Sequence, residues 1–311
     1  MADRRATPAG ALQVEVEGRS LSLSNLDKVL YPATGFTKGQ VIGYYRQIAP
    51  VLLPHLAARP LTLKRYPNGV DQKFFYEKRC PSHRPAWVEV APVWSGRNND
   101  TVAYCVVSEL ATLVWVANLA SLELHTSLSR ADPVERPTMM VFDLDPGPPA
   151  TVVECCRVAL RLRELLEQMD LSCVAKTSGS KGLQLYVPLN TPVTYRGGTK
   201  DFALTVAQLL EKRHPGEVVS SMKKELRPGK VLIDWSQNDQ HKTTVCVYSL
   251  RARPRPTVST PVTWDEVAAT AASGDPDSLV FEADDVVERV ARMGDLFACL
   301  NEAEQPLPPL V

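Results

Sequence analysis

The sequence predicts an α+β protein, a sandwich of sheets with helices packed against it, and three observations point there. Apolar runs of strand length alternate with helix-period runs through the second half, neighbouring strands are joined by hairpin-sized links, and capping signals mark helix starts. A purely parallel, doubly wound sheet needs a helical crossover between successive strands, and several links are too short to hold one. The 311 residues, 44% of them hydrophobic, can bury one large core or two small ones.

Taken in order, residues 1–14, rich in Pro, Ala, Gly and Arg, read as a flexible tail. Residues 301–311, closing on "EQPLPPLV", read as another, leaving 15–300 as the domain. Thr37 and Gln40 form a capping-box pattern, and Val41, Tyr44, Tyr45, Ile48 and Leu52 recur at helical spacing up to Pro54. A helix therefore starts near Lys38. Ser108 stands where it can cap a second helix through about Leu119. Leu122, Leu124, Thr126 and Leu128 then alternate with Glu123, His125 and Ser127 as in a half-buried strand, which puts His125 on the polar face. Further on, strands are expected at 139–145, 171–175, 183–187, 230–235 and 244–250, and helices at 150–168 and 200–213. Thr263 with Glu266, and the run Asp284 to Leu300, read as closing surface helices.

Lys+Arg and Asp+Glu both number 35, so no global field draws the chain to nucleic acid or membrane, and any such contact must come from local patches. The start lacks an apolar core and the stretch Leu110 to Leu122 is too short to cross a bilayer. Seven Cys show no CxxC pair and five His show no HxH or HExxH spacing. That favours a reducing cytoplasm over disulfides or structural zinc.

The stretch "MMVFDLDPG", residues 139–147, runs an apolar strand into Asp143 and Asp145. Two residues apart on a strand, these acids share a face with Cα atoms roughly 6.6 Å apart. Carboxylates that close repel one another unless a cation lies between them, and oxygen-rich sites suit Mg²⁺ or Mn²⁺. Asp234 ends another apolar strand in "KVLIDWSQN" and could supply a third acid. The plainer reading is that the pair caps the following helix. "TSGSKG", residues 177–182, offers glycines for close backbone approach with Ser178, Ser180 and Lys181 as donors, a composition suited to a triphosphate though also to an ordinary turn.

Together "FDLDP", "TSGSKGLQLYVPL" and "VLIDWSQN", with "NLDKVLYPATGFTK" upstream and "YSLRAR" downstream, resemble the polymerase domain of bacterial DNA ligase D, in the archaeo-eukaryotic primase superfamily. The similarity runs from about Leu23 to Arg251. It implies a primase-polymerase fold: two packed β-sheets flanked by helices, with an RRM-like catalytic core. By the same resemblance, Asp143, Asp145 and Asp234 would bind two divalent ions, Mn²⁺ or Mg²⁺, for transfer from NTP or dNTP substrates. Ser178, Lys181, Arg227, Gln237, Arg251, Lys64 and His125 would form the nucleotide pocket, with Arg65 beside Lys64. Gln184 stands where the family usually carries His, and can donate to a phosphate oxygen without adding positive charge. Asn25, Lys28 and Lys38 match a pocket for a DNA 5′-phosphate, and Lys38 lies in a first helical turn, where free N–H groups favour an anion. Phe74, Phe75 and Tyr76, between Lys73 and Lys78, match an aromatic loop that holds template DNA.

The implied activity is template-dependent gap filling at DNA breaks in non-homologous end joining, with a preference for ribonucleotides and terminal transferase activity. Implied partners are DNA ends, Ku and an ATP-dependent DNA ligase, in a nucleoid-associated cytoplasmic setting. Two rivals stay open: a DNA-end-binding module with little polymerase activity, and a sugar-nucleotide transferase using its DxD on Mn²⁺. A haloacid-type phosphatase is disfavoured, because Gly147 stands where Thr or Val is needed.

Overall fold

The computed structural model describes residues 11–96 and 99–309. The first ten residues of the expected N-terminal tail and the last two of the C-terminal tail lie outside that range. The strands β1 (Leu12–Val16) and β2 (Arg19–Leu23) form a hairpin, and β3 (Val29–Tyr31) and β4 (Phe36–Thr37) form another. After α1 (Lys38–Leu56) come β5 (Leu61–Arg65), β6 (Phe75–Glu77), β7 (Val90–Ser95), β8 (Asp100–Cys105), α2 (Leu110–Asn118) and β9 (Ser121–Thr126). The second half runs β10 (Met139–Pro146), α3 (Val152–Glu167), β11 (Val174–Thr177), β12 (Leu183–Pro188), α4 (Lys200–Arg213), β13 (Val218–Val219) and β14 (Val231–Asp234). It closes with β15 (Thr244–Val245), β16 (Pro261–Val262), α5 (Trp264–Ser273), α6 (Ala283–Met293) and α7 (Cys299–Glu302).

Two large sheets carry the architecture, ordered β13-β14-β10-β12-β11-β16 and β15-β9-β5-β8-β7, with β6 added to β5. The expected α+β sandwich is present. Strand period explains how β10 serves two cores. Met140, Phe142 and Leu144 point into a core with α3, α4 and α5, while Met139 and Val141 belong to the core that holds β5, β9, α1 and α2. Asp143 and Asp145 continue that second face beyond the apolar contact, so they open into the space between the sheets. No helix among the described residues is long and apolar enough to cross a membrane.

Thr37 and Gln40 make the expected reciprocal capping box, but α1 continues through Pro50 and Pro54 to Leu56. Ser108 does not cap α2: the cap position is Glu109, the Leu110 N–H goes to Glu17, and the Ser108 hydroxyl donates to Glu89. The strand expected at 244–250 stops at Val245. Tyr248, at φ +63°, turns the chain so that Tyr248 and Ser259 pair across a separate link. Gly294 ends α6 and splits the helix expected from Asp284 to Leu300. Strand β1 begins inside the expected N-terminal tail, and Gln305, inside the expected C-terminal one, bonds to Ser172, Pro188 and Leu189. The cysteine reading also needs correction: Cys80 and Cys105 form a disulfide across 25 residues, a separation that leaves no local motif to read.

Candidate active site

The register of β10 against β14 pairs Asp143 with Asp234, and directly opposed residues of an antiparallel ladder face the same side. Asp143, Asp145 and Asp234 therefore share one sheet face. The plainer reading of the acid pair fails, because α3 is capped by Thr151 and Glu154 in a reciprocal box. Burial, then the charges of Asp145 and Asp234, push the Asp143 carboxyl well above the usual carboxylate range. Desolvation in the cleft and the charge of Asp234 raise Asp145 too, against Arg227, Lys181 and Arg251. Asp234 accepts from the Ser236 amide and hydroxyl through Oδ1, at 3.0 and 2.5 Å, and from Gln237 Nε2 through Oδ2, at 2.7 Å. A carboxylate has about four acceptor sites, so one on Oδ2 is spare. As the side chains stand, no three acidic, His or Cys groups among the described residues converge closely enough to hold an ion.

The 177–182 loop folds on its own serine. Ser178 Oγ accepts from the amides of Ser180 and Gly182, and Arg251 Nη1 donates to the Ser178 carbonyl. Gly182 is required by closeness: a Cβ there would lie 2.1 Å from the Leu144 carbonyl oxygen of β10. Gly179, at φ +66°, would bring a Cβ to 2.7 Å from Arg251 Cγ and the Val258 carbonyl. The loop is thus clamped between the acid strand and Arg251.

A cavity of about 530 Å³ joins these parts, with Asp143, Asp145, Ser178, Lys181, Gln184, Gln237, His125, Arg251 and Tyr76 in its wall. Lys78, which flanks the aromatic loop, also lines the cavity, and the sequence missed two of its other members, His241 and Lys242. Lys242 Nζ donates to Ser236 Oγ at 2.6 Å, which in turn donates to Asp234. Arg227, Lys64 and Asp234 do not line the cavity. Arg227 instead bonds the Met222 carbonyl at 2.6 Å, and its Nε is buried without a partner, as is Arg251 Nε.

Glu123 is the residue that strand alternation misplaced. It sits on the face expected to be polar, yet is 2% exposed, because that face looks onto the cleft rather than onto solvent. Lys64 lies 3.3 Å from its Oε1, His125 Nε2 donates to its Oε2 at 2.9 Å, Arg251 Nε lies at 3.5 Å, and the Ala252 amide donates at 3.1 Å. Burial alone would raise its pKa, but the His125 hydrogen bond and the charges of Arg251 and Lys64 hold it well below the usual range. Burial lowers His125 despite that bond. A second buried polar group, missed in the sequence, lies on the other side. Lys176, 1% exposed, donates to Gln184 Oε1 and Ser259 Oγ, both at 2.6 Å, and Gln184 Nε2 donates to Asp143 Oδ1 at 2.9 Å. Burial, then Arg251, draws Lys176 down to about 7.

Farther out, Lys38 Nζ donates to the Ser24 carbonyl at 2.6 Å, next to Asn25, and Lys28 Nζ donates to Asn68 Oδ1 at 2.8 Å. The first-turn amides of α1 are not free for an anion, contrary to expectation. Lys38 N–H goes to the Lys28 carbonyl, Gly39 N–H to Leu26 and Gln40 N–H to Thr37. What remains is side-chain charge: burial, then Lys28 and Arg65, pulls Lys38 down to about 8. The aromatic loop alternates as a strand should. Phe74 stacks on Tyr66 with centroids 5.2 Å apart and Lys64 lies over its ring at 4.5 Å, while Phe75 lies under Arg65 at 5.1 Å. Phe74, Phe75 and Tyr76 are 48, 43 and 57% exposed, so the loop presents three rings to solvent.

Comparison with known proteins gives this geometry a family. Residues 37–297 match the model of the "LigD, primase-polymerase domain" family. The chain is 45% identical over 287 residues to the multifunctional non-homologous end joining protein LigD of Mycolicibacterium smegmatis, covering 92% of this chain and 36% of that one. It is 28% identical over 293 residues to the bifunctional LigD of Bacillus subtilis, covering 46% of it. The chain thus spans less than half the length of these relatives. Among solved structures, the polymerase domain of Mycobacterium tuberculosis Ligase D in complex with DNA superposes with a TM-score of 0.84 at 43% identity, covering 92% of this chain and 99% of that one. The chain belongs to the LigD primase-polymerase domain family and, by that membership, to the DNA nucleotidyltransferases.

Proposed function

We propose that this domain fills short gaps at DNA double-strand breaks during non-homologous end joining, adding nucleotides to a primer 3′-end opposite a template. The observation that carries the reading is the placement of Asp143, Asp145 and Asp234 on one sheet face, the first two lining a cleft that also holds Ser178, Lys181 and Arg251. The donor set fits divalent cations: three carboxylates on one face, two of them held above their ordinary pKa by burial and by the charge of the neighbouring acids. Mn²⁺ or Mg²⁺ held by these acids would lower the pKa of the primer hydroxyl and neutralise the leaving pyrophosphate.

The chain's own groups do the rest. Lys181 and the 177–182 loop bind the triphosphate, and Arg251, Arg227, Gln237, Lys242 and His125 surround it. The Nε of Arg251, in the cavity wall, is buried without a hydrogen-bond acceptor and has only the Glu123 carboxylate at 3.5 Å, which supports an anionic occupant. Phe74, Phe75 and Tyr76 stack template bases, a contact worth about 1–3 kcal/mol per base. Asn25, Lys28 and Lys38 hold the 5′-phosphate at the far side of the gap. A preference for ribonucleotides, terminal transferase activity, and work beside Ku and an ATP-dependent ligase belong to the same reading.

The test is extension of gapped and blunt duplexes with NTPs against dNTPs, with and without the 5′-phosphate, in Mn²⁺ and in Mg²⁺. Ribonucleotide addition that needs the gap and the divalent ion is expected; no extension in any arm would overturn the reading. The pH dependence of the phosphate arm follows from Lys38. Its depressed pKa leaves the ammonium fully charged only below about 8. The affinity advantage of 5′-phosphorylated over unphosphorylated DNA should therefore fall by up to about tenfold per pH unit above that value. An advantage that holds constant from about pH 7 to 10 would remove Lys38 from the phosphate site.

A further inference from the structure

A chain of buried hydrogen bonds reaches the acids from behind the cleft, and its directions are fixed by chemistry. Ser259 Oγ donates to the Thr177 carbonyl at 2.9 Å, so it can only accept from Lys176, which it does at 2.6 Å. An ammonium has donors and no acceptor. The partner atom of Gln184 must then be its carbonyl Oε1, at 2.6 Å from Lys176 Nζ, and the amide's NH₂ end is left pointing at Asp143 Oδ1, at 2.9 Å. The reverse orientation would set two donors against each other at one end and two acceptors at the other. Gln184 and Lys176 are 3% and 1% exposed, so the Lys176–Gln184 bond is sealed from bulk solvent.

We propose that Ser259, Lys176 and Gln184 form a one-way donor relay that positions Asp143, pinning Oδ1 and turning Oδ2 to the cleft. Oδ2 has no hydrogen-bond partner among the described residues, and Asp143 lines the cavity. The relay rests on the proposed function, because Asp143 is the acid whose aim matters there. Lys176 and Gln184 act through Asp143 and touch neither nucleotide nor primer in this role. Gln184 suits the task because one side chain carries an acceptor and a donor at a fixed separation. Leucine keeps its size and offers neither.

The test uses Lys176→Met and Gln184→Leu, singly and together, with Asp143→Ala as reference, in gap extension over a range of Mn²⁺ and nucleotide concentrations. Partners that orient a metal-binding side chain are worth about 10–100-fold. Each single variant should lose that much in kcat and need a higher Mn²⁺ concentration for half-maximal rate, with nucleotide KM within about threefold of the parent. The double variant should be no worse than the poorer single, because cutting one chain twice costs no more than cutting it once. Losses that multiply in the double, or an unmoved Mn²⁺ midpoint, would overturn the relay. Parent-level extension by Asp143→Ala would instead overturn the functional reading, and the relay with it. Lys176→Met removes a buried charge but strands the acceptors Gln184 Oε1 and Ser259 Oγ, so its fold is checked by thermal unfolding before its rate is read. If it does not fold, Gln184→Leu alone decides, parent-like kcat and Mn²⁺ midpoint being the contrary result.

Discussion

Asp143→Ala is expected to lower nucleotide addition to gapped, 5′-phosphorylated DNA by at least about 10³-fold while leaving DNA binding intact. Stabilisation of transition-state charge by a held cation is worth several kcal/mol, and each 1.36 kcal/mol is a factor of ten in rate. The carboxylate is half-buried, as is that of Asp234 directly opposite it in the ladder, whereas Asp145 is exposed. Its stability signature is as informative as its rate. Burial and the neighbouring acids raise its pKa, so ionised Asp143 opposes folding, and this opposition grows as pH rises above the ordinary carboxylate range. The alanine variant should therefore unfold at the same temperature as the metal-free parent or higher near neutral pH. A marked drop in thermal stability with a small loss of rate would assign Asp143 to structure and not to chemistry.

Glu123→Gln should cost about 3 kcal/mol of stability and raise the nucleotide KM about tenfold. Removing one member of a buried ionic cluster strands the others, at about 3–5 kcal/mol. Here the stranded groups are Lys64 and Arg251, and the amide, with one oxygen left, serves either His125 or the Ala252 N–H but not both. Lys64 and Arg251 are 13% and 17% exposed, so the lower figure applies. All three residues belong to the proposed nucleotide pocket, which is why binding suffers alongside folding. The sign with pH is set by the direction of the shift. Glu123 is held below its unfolded pKa, so its stabilisation is fully present above about pH 4.3 and is lost only as the pH falls through the lower folded value. The gap between parent and variant, measured by denaturant unfolding, should stay level from about pH 8 to 5 and close in stronger acid. A variant as stable as the parent at neutral pH would show that Glu123 does not hold the pocket together.

The parts of the site that sequence could announce were those written in local periodicity. Asp143 and Asp145 sit two apart on an apolar strand, so their common face followed from pleat alone. The acid, loop, acid order then carried the family resemblance to Ser178, Lys181 and Arg251. The box of Thr37 with Gln40 and that of Thr263 with Glu266 were equally plain, because both partners lie three residues apart. What stayed hidden depended on which surface a face meets. Glu123 and His125 alternate with leucines as solvent-facing residues do, and nothing local says that the second sheet's other face closes over them. Lys176, one residue past the strand expected at 171–175, went unremarked, since its partners Gln184 and Ser259 lie 8 and 83 residues away. The Cys80–Cys105 disulfide joins segments 25 apart and escaped for the same reason. At Lys38 the helix start was legible, but not that the 25–28 turn would consume its amides.

The central claim is that Asp143, Asp145 and Asp234 jointly hold the divalent ions of nucleotidyl transfer. Anomalous diffraction at the manganese edge, from crystals grown with Mn²⁺ and a non-hydrolysable ribonucleoside triphosphate, tests it most directly. Peaks are expected at all three carboxylates, beside the triphosphate at the 177–182 loop. A well-ordered nucleotide in the cleft with no manganese at those carboxylates, or with Asp234 still turned wholly to Ser236 and Gln237, would contradict it.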